Sequence, residues 1–284
     1  MGTSTSSSGG KAGSPFDPEW LTPEGPAADA GGDEGQEGGD EHDGSARING
    51  ADAHTGFGEE GAAEAALAPS RRFADARTKM STYLGGGGRD SLRSAAKSMV
   101  TKGMGGARRA AGTMHGTARG AGALGQFLAT ARDGSDPRVV AWVDRARQAN
   151  LAADDLILEL VKEVMPDTGS IDDESVRNAA AEALGLLYER TPDIDIFNLT
   201  DAQIHDVMAI TIANDVCNRM DLQLGQVYER LKYDPHQIQV NRRDVKEYVQ
   251  SEVRVVMERL GVAGLDPRRL AHEVLQAALE VFAS

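Results

Sequence analysis

Charge and glycine are distributed so unevenly along this chain that they limit which part of it can fold. Residues 1–69 contain fourteen Asp and Glu against only Lys11 and Arg47, together with fifteen glycines. A segment with few apolar residues and an excess of one charge cannot bury enough surface to offset the entropy lost on ordering. We therefore expect a flexible head over residues 1–21 and a long disordered acidic linker over residues 22–69.

The acidic linker is most extreme between Asp29 and Asp43, where nearly every residue is Gly, Asp, Glu or Gln. Like charges in such a block repel one another and extend the chain. We favour its interpretation as a solubilising spacer. The alternative is an electrostatic cover for the basic segment that follows.

Residues 70–132 have the opposite charge, with twelve Lys and Arg against Asp75 and Asp90, and they contain twelve further glycines. Apolar spacing predicts a short helix ending at Gly85, a flexible break over Gly85–Gly88, and a second helix over residues 91–101. The candidate basic patch consists of Arg71, Arg72, Arg77, Lys79, Arg89, Arg93, Lys97, Lys102, Arg108, Arg109 and Arg119.

Two kinds of partner suit this basic segment. It carries enough positive charge to neutralise nucleic-acid phosphates. Aromatic residues that would stack on bases are few, however, namely Phe73, Tyr83 and Phe127. We therefore rank docking on a protein surface first and nucleic-acid binding second.

Gly112, Gly116 and Gly120 recur every four residues and so predict a helix face on which a second backbone can approach closely. Each helical glycine costs up to about 1 kcal/mol relative to alanine, so this helix needs a neighbour. We expect the basic segment to order against the rest of the chain or against a partner.

Residues 133–284 have apolar stripes at helical period and no hairpin signal between alternating apolar runs, which predicts an all-α helical bundle. Several sequences resemble helix start signals. They are Asp136-Pro137, Ser170 with Asp173, Thr200 with Gln203, Asn241, and Asp266-Pro267.

Catalytic and metal chemistry are not indicated. The six histidines lack metal-ligand spacing, and Cys217 is the only cysteine. The acidic pairs Asp154/Asp155 and Asp172/Asp173 fall where carboxylates complement the helix dipole. We therefore predict no catalytic residue, no metal site, no cofactor bound by this chain and no enzymatic activity.

The chain shows no secretory signal and no apolar stretch of about 18 residues, which predicts no membrane association. One cysteine cannot form an intramolecular disulfide, which suits a reducing compartment. We therefore predict a cytoplasmic protein. Gly2 and Ser6 match the loose myristoylation pattern, to which we give little weight.

The head itself combines Gly2, a Ser/Thr/Gly run and the segment from Pro15 to Leu21. Aromatic anchors concentrate binding energy at interfaces, so Phe16, Trp20 and Leu21 are the candidate docking residues. A glycine amine on a flexible tether is also easy for another protein to thread into a pocket. The head is thus a candidate segment for binding by a partner protein.

The chain resembles the QatB family of the bacterial Qat anti-phage defence system. The likeness is carried by MGTSTSSSGG, by the segment from SRRFADARTKMSTYL to GALGQFL, by LILELVKEVMPDTGSIDDESVRNAAAEAL, and by the stretch around Cys217-Asn218. It implies that the chain works beside a QueC-like enzyme, an ATPase and a TatD-like nuclease.

The resemblance also implies a use for the head. QueC-like enzymes activate a 7-deazaguanine carboxylate with ATP, and the resulting acyl-adenylate can be captured by an amine. Gly2 is the predicted acceptor, with Gly9 or Gly10 as the alternatives after trimming. The competing hypothesis is a nucleic-acid-binding adaptor in which residues 70–132 recruit DNA to the nuclease.

Overall fold

The computed structural model describes residues 71–166, 168–230, 234–261 and 264–284. Within these ranges the regular structure is helical and includes no strand, which confirms the all-α fold class. The predicted head over residues 1–21 and the predicted acidic linker over residues 22–69 lie outside the described residues. The domain boundaries at residues 21, 69 and 132 therefore stay predictions.

The described residues form helices of very different length. Two five-residue π-type turns, Tyr83–Gly87 and Met99–Gly103, follow the first two helices. The helices are α1 Ala74–Thr82, α2 Gly88–Ser98, α3 Ala107–Thr113, α4 His115–Asp133, α5 Pro137–Ala149, α6 Ala153–Val164, α7 Ile171–Arg190, α8 Asp201–Leu224, α9 Gln226–Arg230, α10 Pro235–Gly261 and α11 Pro267–Ala283.

Three of the predicted helix start signals are confirmed. The Asp136 carboxylate accepts a 2.8 Å hydrogen bond from the backbone N–H of Arg138 at the start of α5. Asp266 caps α11 in the same way, and Thr200 forms a capping box with Gln203 at the start of α8. In each case the partner atoms lie within four residues, so the local sequence determines the geometry.

The two other start signals have different outcomes. Helix α7 begins at Ile171, directly after Ser170, as the sequence predicted, but the side chain of Ser170 makes no capping hydrogen bond. Asp173 instead accepts a hydrogen bond from Thr168 and pairs with Arg119 of α4. Asn241 does not begin a helix, since α10 starts at Pro235 and Asn241 is buried within it. Its side-chain oxygen accepts a hydrogen bond from Gln237, one turn earlier.

The Gly85–Gly88 segment differs from the flexible break that the sequence predicted. It forms a turn that joins α1 to α2, and these two helices pack against each other. Gly86 and Gly88 have φ values of +98° and +71°, which L-residues with a side chain rarely adopt. The glycines therefore reverse the chain direction within a few residues.

Helix α8 runs through the core of the described unit. Every residue from 207 to 216 is buried, as expected for a helix that is covered on all sides. It contacts α4, α7 and α10, while α11 contacts α3, α4 and α10. One hydrophobic cluster extends from Phe73 to Phe282. The basic segment therefore packs against the later helices, in agreement with the expectation from its glycine content.

The glycines of α4 permit these close contacts, although not in the predicted pattern. Gly112 lies in α3 and faces open space, so it is not part of the close-packed face. A Cβ on Gly120 would come within 2.5 Å of Val176 Cγ1 in α7. The closest backbone approach lies at Gly122, where a Cβ would be 2.7 Å from the Cα of Arg268. Helices α4 and α11 thus meet nearly backbone to backbone.

Candidate functional site

A groove of about 620 Å³ opens beside the α4–α11 contact. Its walls come from the first two turns of α4, the end of α6, the start of α7 and the first turns of α11. This volume lies within the range of small-molecule pockets, which is about 300–1,000 Å³.

The floor of the groove is made by small and apolar residues. Gly116 leaves space there, because a Cβ at this position would reach only Asp173 Oδ1, at an ordinary contact distance of 3.5 Å. Ala123, Met165 and Val176 supply apolar surface. The floor is therefore suited to a flat apolar group.

The rim of the groove carries both charge signs. Arg119 of α4 pairs with Asp173 of α7 at 3.0 Å. A hydrogen bond from Thr168 is the largest cause of the lowered pKa of Asp173, and the positive charge of Arg119 adds to it. This carboxylate is thus ionised and fixed in place. Its charge offsets that of Arg119.

The other side of the rim is contributed by α11. Arg268 and His272 are both exposed and both line the groove. Within the described ranges, no acidic side chain pairs with the Arg268 guanidinium. His115 lies on the α4 side, where one ring nitrogen is 3.2 Å from the carbonyl oxygen of Gly112.

A smaller cavity of about 150 Å³ adjoins the groove and reaches the buried carboxyl of Asp215 on α8. Asp215 is 5% exposed and accepts hydrogen bonds of 2.5 Å from Thr117 of α4 and from Ser175 of α7. Burial raises its pKa, and the two hydroxyl donors and the charge of Arg219 only partly oppose this effect. Arg219 itself pairs with Asp172 at 2.9 Å. Asp215 therefore joins three helices beneath the groove.

The sequence did not predict this groove, because its polar residues come from distant parts of the chain. His115 and His272 lack a common motif, and Asp173 was assigned to a helix cap. The detectable signal is a repeated spacing, since His115 and Arg119 are four residues apart, as are Arg268 and His272. Such pairs share one helix face, although sequence alone does not show that the two faces meet.

The residues predicted to act in the head lie outside the described residues. This applies to the candidate acceptors Gly2, Gly9 and Gly10 and to the candidate docking residues Phe16, Trp20 and Leu21. Their roles stay predictions.

Several cations of the predicted basic patch are engaged within the chain. Lys79 and Lys102 both pair with Asp75, at 3.2 and 2.9 Å. The hydrogen bond from Lys102 is the largest cause that lowers the pKa of Asp75 to about 2. The Arg77 guanidinium donates to the carbonyl oxygen of Gln223. These contacts leave less charge for an external partner.

The remaining patch residues are dispersed over different elements. Lys97 donates to the backbone oxygen of Ser284. Burial raises the pKa of Tyr248, and the nearby Arg93 partly opposes that rise. Arg119 belongs to the groove. Arg71, Arg72, Arg89 and Arg108 are further exposed members of the patch. Arg109 is exposed as well, but it is engaged in an interaction.

Two further kinds of site are absent from the described residues. Among the described residues, no three or more His, Cys, Asp or Glu side chains gather in a group that could hold a metal ion. None of the helices in the described ranges combines the length and hydrophobicity that crossing a membrane requires.

The chain matches a protein-family model over more than half of its length. Residues 105–282 match the family described as QatB, Qat anti-phage system associated protein QatB. This range contains every residue of the groove. No curated protein and no solved structure matches the chain significantly.

Proposed function

The chain belongs to the QatB family of Qat anti-phage proteins, and from this premise we propose that it serves as the modification substrate of a QueC-like enzyme. Membership of the family assigns the chain to anti-phage defence in association with other Qat components. The proposal adds that the chain is not itself an enzyme. It also adds that the amine of Gly2 is the acceptor.

The chemistry suits an N-terminal glycine. A QueC-like enzyme would let a carboxylate oxygen of the 7-deazaguanine attack the α-phosphorus of ATP, so that the acyl-adenylate forms and pyrophosphate leaves. The neutral α-amine of Gly2 then attacks the acyl carbon, an amide bond forms, AMP leaves and the nitrogen loses a proton. An α-amine with an ordinary pKa near 8 supplies enough neutral form at cellular pH. Glycine adds no side chain that would obstruct the approach.

The family match is the observation that carries the proposal, and the layout of the chain supports it. The matched range begins at residue 105, so the head and acidic linker extend beyond the family-defining helices. The fifteen glycines and the excess negative charge of residues 1–69 favour an accessible head. We propose that the helical body binds other Qat components while the head presents the amine.

Phe16, Trp20 and Leu21 would dock the head on the enzyme. They follow the candidate acceptor by fewer than 20 residues, which an extended chain spans at about 3.3 Å per residue. Trp20→Ala is expected to slow conjugation while the amine of Gly2 stays intact. The Qat ATPase and the TatD-like nuclease are further proposed partners.

Intact-mass spectrometry tests the proposal. The full chain is purified after co-expression with the QueC-like enzyme, and its mass is compared with that of the chain expressed alone. We expect the mass increase of one conjugated deazapurine, which peptide mapping assigns to Gly2, Gly9 or Gly10. With Gly2 as the acceptor, Gly2→Pro should abolish modification and defence, while Gly13→Pro serves as the matched control. An unmodified N-terminus in a system that still stops phage would refute the proposal.

The nucleic-acid adaptor is the second candidate, and the exposed cations Arg71, Arg89 and Arg108 favour it. Its test is binding of the full chain to duplex DNA over a range of salt concentrations. Neutralised phosphates would make affinity fall steeply with salt, and Arg89→Glu with Arg108→Glu would reduce that slope. Absence of binding near physiological salt would exclude this candidate.

A further inference from the structure

The groove beside the α4–α11 contact lies where the basic segment meets the acidic helices that follow it. Residues 70–132 contain twelve Lys and Arg against two Asp and Glu, whereas residues 133–284 contain sixteen Lys and Arg against twenty-eight Asp and Glu. His115 and Arg119 come from the first of these ranges, and Arg268 and His272 come from the second. Among the described residues that line the groove, Asp173 is the only carboxylate, so arginine and histidine outnumber acidic groups there.

The four basic side chains form two matching pairs. His115 and Arg119 lie four residues apart on α4 and so share one helix face. Arg268 and His272 have the same spacing on α11. Because Gly122 lets the backbones of these helices approach closely, both pairs border the same cavity.

The charges in this cavity do not cancel. Asp173 is engaged by Arg119 and by the hydroxyl of Thr168. The guanidinium of Arg268 has no acidic partner among the described side chains, so its charge and its hydrogen-bond donors are available. Guanidinium groups bind phosphate and carboxylate oxygens through paired donors. The groove consequently offers an anion site at its α11 side.

The floor of the groove provides an apolar contact surface for the part of a ligand that is not anionic. Ala123, Met165 and Val176 provide apolar surface next to the rim, and Gly116 leaves room above α4. A volume of about 620 Å³ accommodates a molecule of mononucleotide size. A cavity of this size encloses a small ligand rather than a nucleic-acid strand.

We propose that this groove binds a small organic anion in which a phosphate or carboxylate is attached to a flat apolar ring system. Arg268 would hold the anion, with His272 and His115 beside it, and the apolar floor would contact the ring. Nucleoside monophosphates and aromatic carboxylates share this chemistry. The site is independent of the modification proposed for Gly2.

Isothermal titration of the full chain with four probes tests the site. The probes are adenosine monophosphate, naphthoate, adenosine and inorganic phosphate. We expect saturable binding of one or both of the first two, which identifies the source of the anion, and at least tenfold weaker binding of the last two. Equal binding of inorganic phosphate and the nucleotide would overturn the proposal, because the floor would then contribute nothing.

Variants of the groove complete the test. Arg268→Glu should weaken binding by about tenfold to a hundredfold, as expected when a charged hydrogen-bond donor is lost. Ala123→Leu should weaken it by filling the floor without changing charge. Arg138→Glu is the matched control, since its side chain is 92% exposed on α5 and does not line the groove. Unchanged affinity in both groove variants, or no saturable binding of any probe, would refute the site.

Discussion

The hydroxyl of Thr117 on α4 donates a 2.5 Å hydrogen bond to the carboxylate of Asp215 on α8, and both side chains are almost fully buried. Ser175 of α7 donates to the other carboxylate oxygen. One acidic side chain therefore satisfies hydroxyls from two neighbouring helices. Because a buried polar atom without a partner is costly, these three groups depend on one another.

Substitution of Asp215 should separate hydrogen bonding from charge. Asp215→Ala leaves the hydroxyls of Thr117 and Ser175 without their acceptor, so we expect the free energy of unfolding to fall by about 2–4 kcal/mol. Asp215→Asn keeps an oxygen and an amide that can pair with the two hydroxyls, and should cost less than about 1 kcal/mol. Urea denaturation of both variants measures the difference. An equal loss of unfolding free energy in the two variants would contradict the assignment of the stabilising role of Asp215 to its hydrogen bonds.

The same carboxyl predicts a pH dependence of stability. Burial raises the pKa of Asp215 in the folded chain. As pH rises, the unfolded chain therefore loses this proton before the folded chain does. The contribution of Asp215 to stability is thus greatest below its ordinary pKa of about 4 and decreases as pH rises through the folded-state pKa. The free energy of unfolding of the wild type relative to that of Asp215→Asn should fall over that pH window. A difference that does not change with pH would refute the raised pKa of Asp215.

Replacing Gly120 and Gly185 with alanine should change the stability of the chain in opposite directions. A Cβ on Gly120 would meet Val176 Cγ1 at 2.5 Å, and a branched valine cannot easily move away. Gly120→Ala should therefore destabilise the chain by about 1–3 kcal/mol. Gly185, in the middle of α7, faces open space, and Gly185→Ala should stabilise it by about 0.5–1 kcal/mol. Thermal unfolding of this matched pair tests the packing of α4 on α7.

How far the sequence predicts this fold depends on the range of each interaction. The caps at Asp136, Thr200 and Asp266 involve partners within four residues and were predictable from the local sequence. Asn241 was misassigned because the helix extends six residues before it. A local motif cannot show that a helix has already begun.

The candidate groove was not predictable for a related reason. Its rim joins residues of α4 to residues of α11, which lie about 150 positions apart. Periodicity identifies each helix but not which helices become neighbours. The tertiary contact also changes the role of Asp173, which leaves the cap of α7 to pair with Arg119. The hypothesis about the head, in contrast, rests on the sequence and the family match alone.

Thr200 and Ser170 test whether a residue that precedes a helix stabilises it only when its side chain makes a capping hydrogen bond. The Thr200 hydroxyl accepts a hydrogen bond from the backbone N–H of Gln203, and the backbone N–H of Thr200 donates to the side-chain oxygen of Gln203. Thr200→Ala should therefore lower the free energy of unfolding by about 1 kcal/mol. Ser170 occupies the same position before α7 but makes no capping bond. Ser170→Ala should change stability by less than about 0.5 kcal/mol. A loss at Ser170 equal to that at Thr200 would show that both helices are capped in solution.

Cys217 offers a probe of the core, because it is the only cysteine of the chain. Burial raises the pKa of its thiol to about 12, which leaves very little of the reactive thiolate at neutral pH. We expect iodoacetamide to alkylate the native chain at least about a hundredfold more slowly than the urea-unfolded chain, whose thiol has an ordinary pKa near 8.5. Mass spectrometry follows the reaction, and Cys217→Ser controls for modification elsewhere. Comparable rates in the two states would contradict the raised pKa of the thiol, because Cys217 is only partly buried and alkylation would then not be limited by the thiolate fraction.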